Sequence, residues 1–227
     1  MADAARFEGF GPDAFRFLQA LDFHQTREWF HENRAMYEEQ LRGPLLALCA
    51  EGAERARAHG LDMRFDARKG TFRINRDVRF SNDKRPYNHH VSALMSADGT
   101  KKAFGVLYVH VGVERTFFDA GFWALPKDEL TACRRSIVEH PRRFRAVAEA
   151  LNDSGLAWDE DDALRRNPRG WDDPGEDDLR RALRLRGFTV GEDWPREEAH
   201  SRALLERFDR FAARVAPLIE WGRAILG

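Results

Sequence analysis

One stretch of the sequence gathers side chains that could bind an anion. Arginine offers a planar fork of N–H donors that suits phosphate and carboxylate, and a neighbouring aspartate can hold that fork in place. Residues 62–87, which we call the basic segment, combine such groups with a serine and a tyrosine. We therefore predict a site for a phosphate- or carboxylate-bearing ligand, extended to hydrolase or transferase activity, at Arg73, Arg76, Asp77, Arg79, Ser81, Asp83, Lys84 and Tyr87.

The same residues are open to other interpretations. Asp77 and Asp83 could serve as general bases or metal ligands instead of holding arginines. The arginines and aspartates could also form an ion-pair lattice that is architectural, in a non-catalytic structural or interaction module. A pair of Ser81 with His89 or His90 could act as nucleophile and base, but no nucleophile-elbow motif surrounds the serine. The catalytic residues, if there are any, remain unknown from the sequence.

Metal and cofactor motifs are missing from the sequence. His90 and His110 could share one face of a sheet, but no HExxH or H-x-H spacing accompanies them. The two cysteines, Cys49 and Cys133, form no CxxC motif and fit a reducing compartment. We therefore predict no metal site, identify no cofactor, and expect a cytoplasmic protein.

A β-hairpin is predicted to position the basic segment. Residues 63–68 and 71–76 each alternate apolar and polar side chains, and Lys69-Gly70 between them fits a two-residue loop with Gly at positive φ. Pairing 68 with 71 places the apolar side chains on one face. Arg76 alone breaks the pattern, opposite Met63, where an unpaired charge is costly. Arg76 should therefore be largely buried and hydrogen-bonded to a carboxylate or to carbonyls.

The remaining periodicity predicts an α+β fold. Further strands are expected at 89–95, 102–112 and 115–123, giving a central antiparallel sheet of about five strands within residues 61–124. Helices are expected in residues 1–60 and 125–227, all within a single domain covering 1–227. In the first of these, Thr26 is a predicted N-cap and Gly43-Pro44 a predicted break. Pro217 is expected to kink the last helix or to split it into two.

Two segments have opposite charge. Residues 152–178, the acidic segment, hold ten acids against three arginines, and the basic segment holds eight basic residues against four acids. This irregular acidic segment could lie across the basic segment as a lid, or both could be independent solvated loops. The sequence does not decide between these arrangements.

Composition limits the class of partner. The formal charge of the 227-residue chain is -1, which disfavours a nucleic-acid binder because such domains are usually clearly basic. No run of 18 apolar residues and no signal-peptide core are found, so no membrane partner is expected. A small anionic ligand is the predicted partner, and the oligomeric state is undetermined.

The sequence resembles a family of conserved hypothetical proteins found in bacteria and some fungi. The run NRDVRFSNDKRPY at 75–87 is similar to that family's R-D-x-R-F-S-x-D-K-x-P-Y signature. Three more blocks resemble the family: FGPDAFRFL with REWF near the start, GFW followed by Pro126, and NPRGW at 167–171. The chain departs from the family at His24-Gln25, where an Asn pair is usual, and at Trp171, where Tyr is commoner. The resemblance implies that the basic segment is a shared feature, and it implies no particular activity.

Overall fold

The centre of the fold is an antiparallel sheet, which has four strands where about five are predicted. The computed structural model describes residues 6–227, and in it the strand order is β1–β2–β3–β4 with each neighbouring pair antiparallel. The bounds are His90–Met95 for β1, Val106–Gly112 for β2, Thr116–Phe122 for β3 and Phe188–Asp193 for β4. The first three match predicted strands, whereas β4 is new. The α+β class is confirmed.

Helices from both ends of the chain accompany the sheet. Before it lie α1 (Ala14–Phe23), α2 (Arg27–Glu32), α3 (Arg34–Tyr37), a π-helical turn (Glu38–Arg42) and α4 (Gly43–Ala58). After β3 come α5 (Lys127–Glu139), α6 (Pro141–Asp153) and α7 (Asp177–Arg184), and after β4 a 3-10 turn (Arg196–His200) and α8 (Ala203–Leu226). Among these described helices, none is both long enough and apolar enough to cross a membrane.

Local sequence signals explain some helix boundaries and not others. Thr26 is the N-cap of α2, as predicted, and its hydroxyl accepts a hydrogen bond from the Trp29 amide at 3.2 Å. The predicted interruption at Gly43-Pro44 coincides with the start of α4, whose first turn contains Pro44, where no helical N–H is required, although the preceding π-helical turn leads into it without a loop. The predicted kink or split at Pro217 does not divide α8, which runs through that residue.

The two faces of the sheet have different surroundings. Along β2, Leu107, Val109 and Val111 are buried, whereas Tyr108 and His110 between them are only half-buried. The buried side faces α4 and α8, and the ring of Phe118 on β3 packs against Phe208 and Phe211 of α8 at centroid distances of 5.1 and 5.8 Å. The opposite face therefore exposes polar and aromatic side chains beside the basic segment.

The predicted hairpin within the basic segment is wrong. Instead of the predicted register, the segment makes three isolated antiparallel bridges: Arg64 with Ser96 just after β1, Thr71 with Ala93 of β1, and Asn75 with Tyr87 near the segment's own end. Arg76 is consequently not opposite Met63. The alternation of side chains is compatible with either partner strand, so it could not distinguish the two arrangements.

A turn centred on Asp66 explains why the hairpin does not form. The Asp66 carboxylate accepts the backbone amides of Arg68 and Lys69, and the Asp66 carbonyl accepts the Gly70 amide at 2.7 Å. Gly70 does not have positive φ as predicted. Its role is close approach, because a Cβ there would lie 2.7 Å from the carbonyl oxygen of Leu94 on β1.

The acidic segment lies at the opposite edge of the sheet from the basic segment. Trp158 forms a bridge with Val190 of β4, and the Asp159 amide donates to the Thr189 carbonyl at 2.9 Å. Since β4 and β1 are the two outer strands, the acidic segment does not cover the basic one. The lid arrangement considered from the sequence is therefore wrong.

Candidate functional site

The basic segment is fixed along β1 by backbone hydrogen bonds. The Phe72 amide donates to the Ser92 carbonyl at 3.0 Å, and the Leu94 amide donates to the Gly70 carbonyl at 3.0 Å. Further along, the Arg76 amide donates to the Pro86 carbonyl at 2.8 Å. These bonds hold the segment beside the exposed face of the sheet, so that its side chains and those of β1 and β2 can meet.

They meet in a cleft of about 580 Å³, which we call the larger cleft. One wall comes from the basic segment and the other from the sheet and a loop after β1. The lining residues are Phe72, Arg73, Asn75, Arg76, Asp77, Asn88, His90, Ser92, Lys101 and Tyr108. Three of the predicted site residues, Arg73, Arg76 and Asp77, are thus in one cleft.

Two cations of the larger cleft have no carboxylate partner. Within residues 6–227 no Asp or Glu oxygen lies within 4.0 Å of the charged nitrogens of Arg73 or Lys101. The Lys101 ammonium donates to the Thr71 carbonyl at 2.8 Å and lies 4.7 Å from the ring centroid of Phe72. Burial and then the nearby Arg73 charge lower the pKa of Lys101. The cleft therefore has a local excess of positive charge.

Arg76 is paired, as predicted, but in a different place. Its guanidinium donates to the Asp83 carboxylate at 2.6 Å, and its side chain is 24% exposed. Asp83 also accepts from Arg85 at 2.9 Å, and hydrogen bonds from Arg85 and then Arg76 hold the pKa of Asp83 well below its usual range. Arg85 in turn reaches Asp22 of α1 at 2.9 Å. This lattice ties the basic segment to the N-terminal helices.

The lattice leaves some predicted residues outside the cleft. The carboxylate of Asp77, although its residue lines the cleft, is held by the Arg79 guanidinium at 2.6 Å. Lys84 donates to the Val78 carbonyl at 3.0 Å, and the Ser81 hydroxyl accepts the Asp83 amide at 3.2 Å. None of Arg79, Ser81 and Lys84 lines the cleft.

Tyr87, the remaining predicted residue, is buried. Its ring stacks on Phe30 of α2 with centroids 4.6 Å apart, and its amide donates to the Gln25 side chain at 3.0 Å. These contacts place Tyr87 in the core beside the helices, and it is absent from the lining of the larger cleft.

A smaller cleft of about 290 Å³ lies between the basic segment and the N-terminal helices. It shares Phe72, Arg73 and Asn75 with the larger cleft. Its other lining residues are Phe30, Arg34, Tyr37, Glu38, Arg42, Ala67, Arg68, Thr71 and Ile74. Of its cations, Arg34 and Arg42 are paired with Glu38, at 3.8 and 3.0 Å, whereas Arg68 has no carboxylate within 4.0 Å in the described chain.

Sequence reasoning missed several cleft residues on the sheet and its loops: Asn88, Ser92, Lys101 and Tyr108. A signal was present for two of them, since Ser92 and Tyr108 are polar positions within otherwise apolar strands. Lys101 comes from a loop, and its proximity depends on long-range packing that no local pattern reports. These residues complete the cleft wall opposite Arg73.

The expected sharing of a face by His90 and His110 is confirmed. Their rings stack with centroids 4.4 Å apart, and the His110 Nδ1 is 3.2 Å from the Tyr108 hydroxyl. Burial and then His90 lower the pKa of His110 to about 3, so its ring is neutral at pH 7. Across the described residues 6–227, no group of three or more His, Cys, Asp or Glu side chains could hold a metal ion.

Comparison with known proteins identifies the family. Residues 13–221 match the model of a family described as "Conserved hypothetical protein (DUF2461)", and the chain belongs to that family. A search of curated proteins finds no match to this sequence. The evidence on function therefore comes from the geometry of the two clefts.

Proposed function

We propose that the protein binds a small ligand bearing a phosphate or carboxylate group in the larger cleft. The observation that carries the proposal is the pair of uncompensated cations, Arg73 and Lys101, in one concave space. Two like charges in a partly buried cleft repel each other, and an anion between them would remove that repulsion. Their placement beside neutral polar groups provides further donors for the oxygens of the ligand.

The remaining lining suits the body of such a ligand. Asn75, Asn88 and the Tyr108 hydroxyl can donate hydrogen bonds, while the Phe72 ring offers an apolar surface. A hydrolysis or transfer reaction on the bound anion would use the groups beside it, of which His90 is one. Burial, and then His89, lower the pKa of His90, so its ring is a weaker proton acceptor than a free imidazole.

A second candidate function is favoured by a different observation. The ion pairs of Arg76 with Asp83, and of Arg85 with Asp22, join the basic segment to α1. Charges that are already satisfied in this way support an architectural role for that part of the segment, as in a non-catalytic interaction module. The two candidates divide the predicted site between them, because Arg73 is free to bind and Arg76 is engaged.

A cytoplasmic location is part of the proposal. Cys49 and Cys133 are both free and buried, and burial raises the pKa of Cys133 to about 12. Neither thiol participates in a disulfide, which suits a reducing compartment. Fractionation of cells producing the protein would test this part of the proposal, and recovery in an oxidising compartment would contradict it.

The binding proposal is tested by thermal unfolding in the presence of inorganic phosphate, sulfate and citrate. A ligand at 100 times its dissociation constant should stabilise the fold by about 2.7 kcal/mol. For Arg73→Gln and for Lys101→Gln, about ten times more ligand should be needed to reach the same stabilisation, because each variant loses a charge-assisted hydrogen bond. Lys102→Gln removes an exposed neighbouring charge that does not line the cleft, and it should behave like the parent protein. Equal loss in all three variants would point to non-specific screening and contradict the proposal.

A further inference from the structure

The two clefts adjoin each other, since they share three lining residues, and their unpaired cations are distributed over both. Arg68 lines only the smaller cleft, Lys101 only the larger one, and Arg73 lines both. None of the three has a carboxylate within 4.0 Å among residues 6–227. Each cleft therefore has one unpaired cation of its own, and the two clefts share the unpaired Arg73.

The smaller cleft also contains a polar group that lacks a partner. The Thr71 hydroxyl oxygen is buried and makes no hydrogen bond within the described part of the chain. A buried hydroxyl usually has a partner, but this oxygen is closed off from the cleft, so the cleft offers a ligand its cations and not this hydroxyl. Its neighbour Phe72 is 40% exposed and lines both clefts, so its ring offers an apolar or aromatic contact where the two clefts adjoin.

We propose that the natural ligand is a short chain of linked phosphates that spans both clefts, with Arg73 at its middle. This inference rests on the proposed function and names the class of ligand. A ligand with charge only at its two ends, such as a dicarboxylate, would leave the shared Arg73 facing an uncharged linker. A phosphate chain has a negative charge at every link, and so can pair with Arg68, Arg73 and Lys101 together.

Binding of orthophosphate, tripolyphosphate, ATP and succinate, measured by titration calorimetry, tests the inference. Tripolyphosphate should bind at least tenfold more tightly than orthophosphate or succinate, since it gains a second charge-assisted contact. Equal affinity for ATP and tripolyphosphate would show that the phosphate chain alone accounts for binding and that the nucleoside adds nothing. Tighter binding of ATP would instead identify a nucleotide as the source, and both results support the spanning mode.

Two variants separate the clefts. Arg68→Gln should weaken tripolyphosphate about tenfold and leave orthophosphate unchanged, because Arg68 lines only the smaller cleft, whereas Lys101→Gln should weaken both. Lys69→Gln and Lys102→Gln, which remove exposed neighbouring charges outside both linings, should change neither affinity. All four positions are exposed, so the variants are expected to fold.

The results distinguish failure of this inference from failure of the proposed function. If Arg68→Gln has no effect on tripolyphosphate while Arg73→Gln and Lys101→Gln abolish orthophosphate binding, the spanning mode is overturned and the single-anion site stands. If succinate binds as tightly as tripolyphosphate, the phosphate-chain assignment is overturned. If none of the anions binds the parent protein, both proposals fail.

Discussion

The two charged segments lie at opposite edges of one sheet, and they differ in the sign of the charge that they leave without a partner. In the acidic segment, Glu160 pairs with Arg181 at 2.8 Å and Asp173 with Arg180 at 2.9 Å, whereas Asp159, Asp161 and Asp162 have no cation within 4.0 Å in the described chain. In the basic segment, Arg76 and Arg79 are paired in the same way, but Arg68 and Arg73 have no carboxylate within 4.0 Å in the described chain. A missing partner therefore does not define a site by itself, and the basic edge is the candidate anion site because its unpaired groups are cations that line clefts.

The largest expected effect concerns Asp119, which lies on β3 with Asp159 of the acidic segment nearby. Burial, and then the Asp159 charge, raise the pKa of Asp119 from an ordinary 3.8 to about 6. The folded state thus holds this proton more tightly than the unfolded chain, so stability falls as pH rises from about 4 to about 6. Asp119→Asn removes that loss and should be more stable than the parent by about 2–3 kcal/mol above pH 6, and equal to it below pH 4.

Urea unfolding of both proteins between pH 4 and pH 7 measures this effect. The difference in free energy of unfolding should grow with pH across that window. Arg115 opposes the shift and Asp193 adds to it, so both should be retained in the variant. A difference that stays constant with pH would show that the acidic edge does not hold Asp119 protonated.

Gly70→Ala tests how closely the basic segment packs on β1. The added Cβ would meet the Leu94 carbonyl oxygen at 2.7 Å, so we expect a loss of about 2 kcal/mol in unfolding free energy. Gly175→Ala is the counterpart in the acidic segment, where φ is +80° and no atom lies within 4 Å of the added carbon. It should cost about 1 kcal/mol through the backbone conformation alone. Chemical denaturation measures the free energy of unfolding of both variants. A larger loss for Gly175→Ala than for Gly70→Ala would contradict the expectation that the basic segment packs more closely on the sheet.

Arg76→Met tests the lattice that anchors the basic segment. The change keeps the apolar stem and removes a hydrogen bond to Asp83 that is partly open to water. We expect a loss of about 1–2 kcal/mol, measured by urea unfolding. Arg73→Met, at an exposed residue without a carboxylate partner, is the matched control and should stay within about 0.5 kcal/mol of the parent. Similar losses in the two variants would contradict the division between anchored and free arginines.

The smallest effect is expected in the acidic segment. Arg145 of α6 donates to both Glu176 and Asp178, and its removal should loosen the chain around Pro174-Gly175. Arg145→Gln should raise the rate of limited proteolysis there by about twofold to fivefold at low salt, and less at high salt. Arg143→Gln, on the same helix and with no carboxylate within 4.0 Å among residues 6–227, should leave the rate unchanged. An equal rise in both would mean that the ion pairs do not hold this segment.

The fold was predictable where local periodicity is strong. Strand β2 alternates, whereas β1 is buried at five of its six positions, and the sequence locates β1 to β3 because the turn residues at 97–100 and 113–114 separate them. Strand β4 was missed because its sequence FTVGED ends in Gly191 and two acids, which hide a six-residue strand among polar neighbours. The hairpin error has a different cause, since the same alternation fits pairing with β1, and only the turn at Asp66 decides between the two.

The candidate site was predictable only for the residues that lie close together in the sequence. Arg73, Arg76 and Asp77 were found because they cluster in sequence, and the pairing of Arg76 was predicted correctly although the hairpin register behind that prediction was wrong. Lys101 and Tyr108 come from elsewhere in the chain, and only the packed sheet brings them to Arg73. Sequence also could not show that the Asp83 carboxylate pairs with Arg76 and Arg85, whereas Arg73 has no carboxylate within 4.0 Å in the described chain.

The isolated bridges at the two outer strands have a consequence for solubility. An exposed strand edge offers unpaired N–H and C=O groups on which another chain can add a strand, a common start of aggregation. Here the basic segment bonds to β1 at Thr71 and to Ser96 just after β1 at Arg64, and the acidic segment bonds to β4 at Trp158. Each segment thereby occupies part of its edge, and the charges it carries repel a like copy approaching from the same side. The irregular chain that frames the clefts also protects the sheet from growing into a fibre.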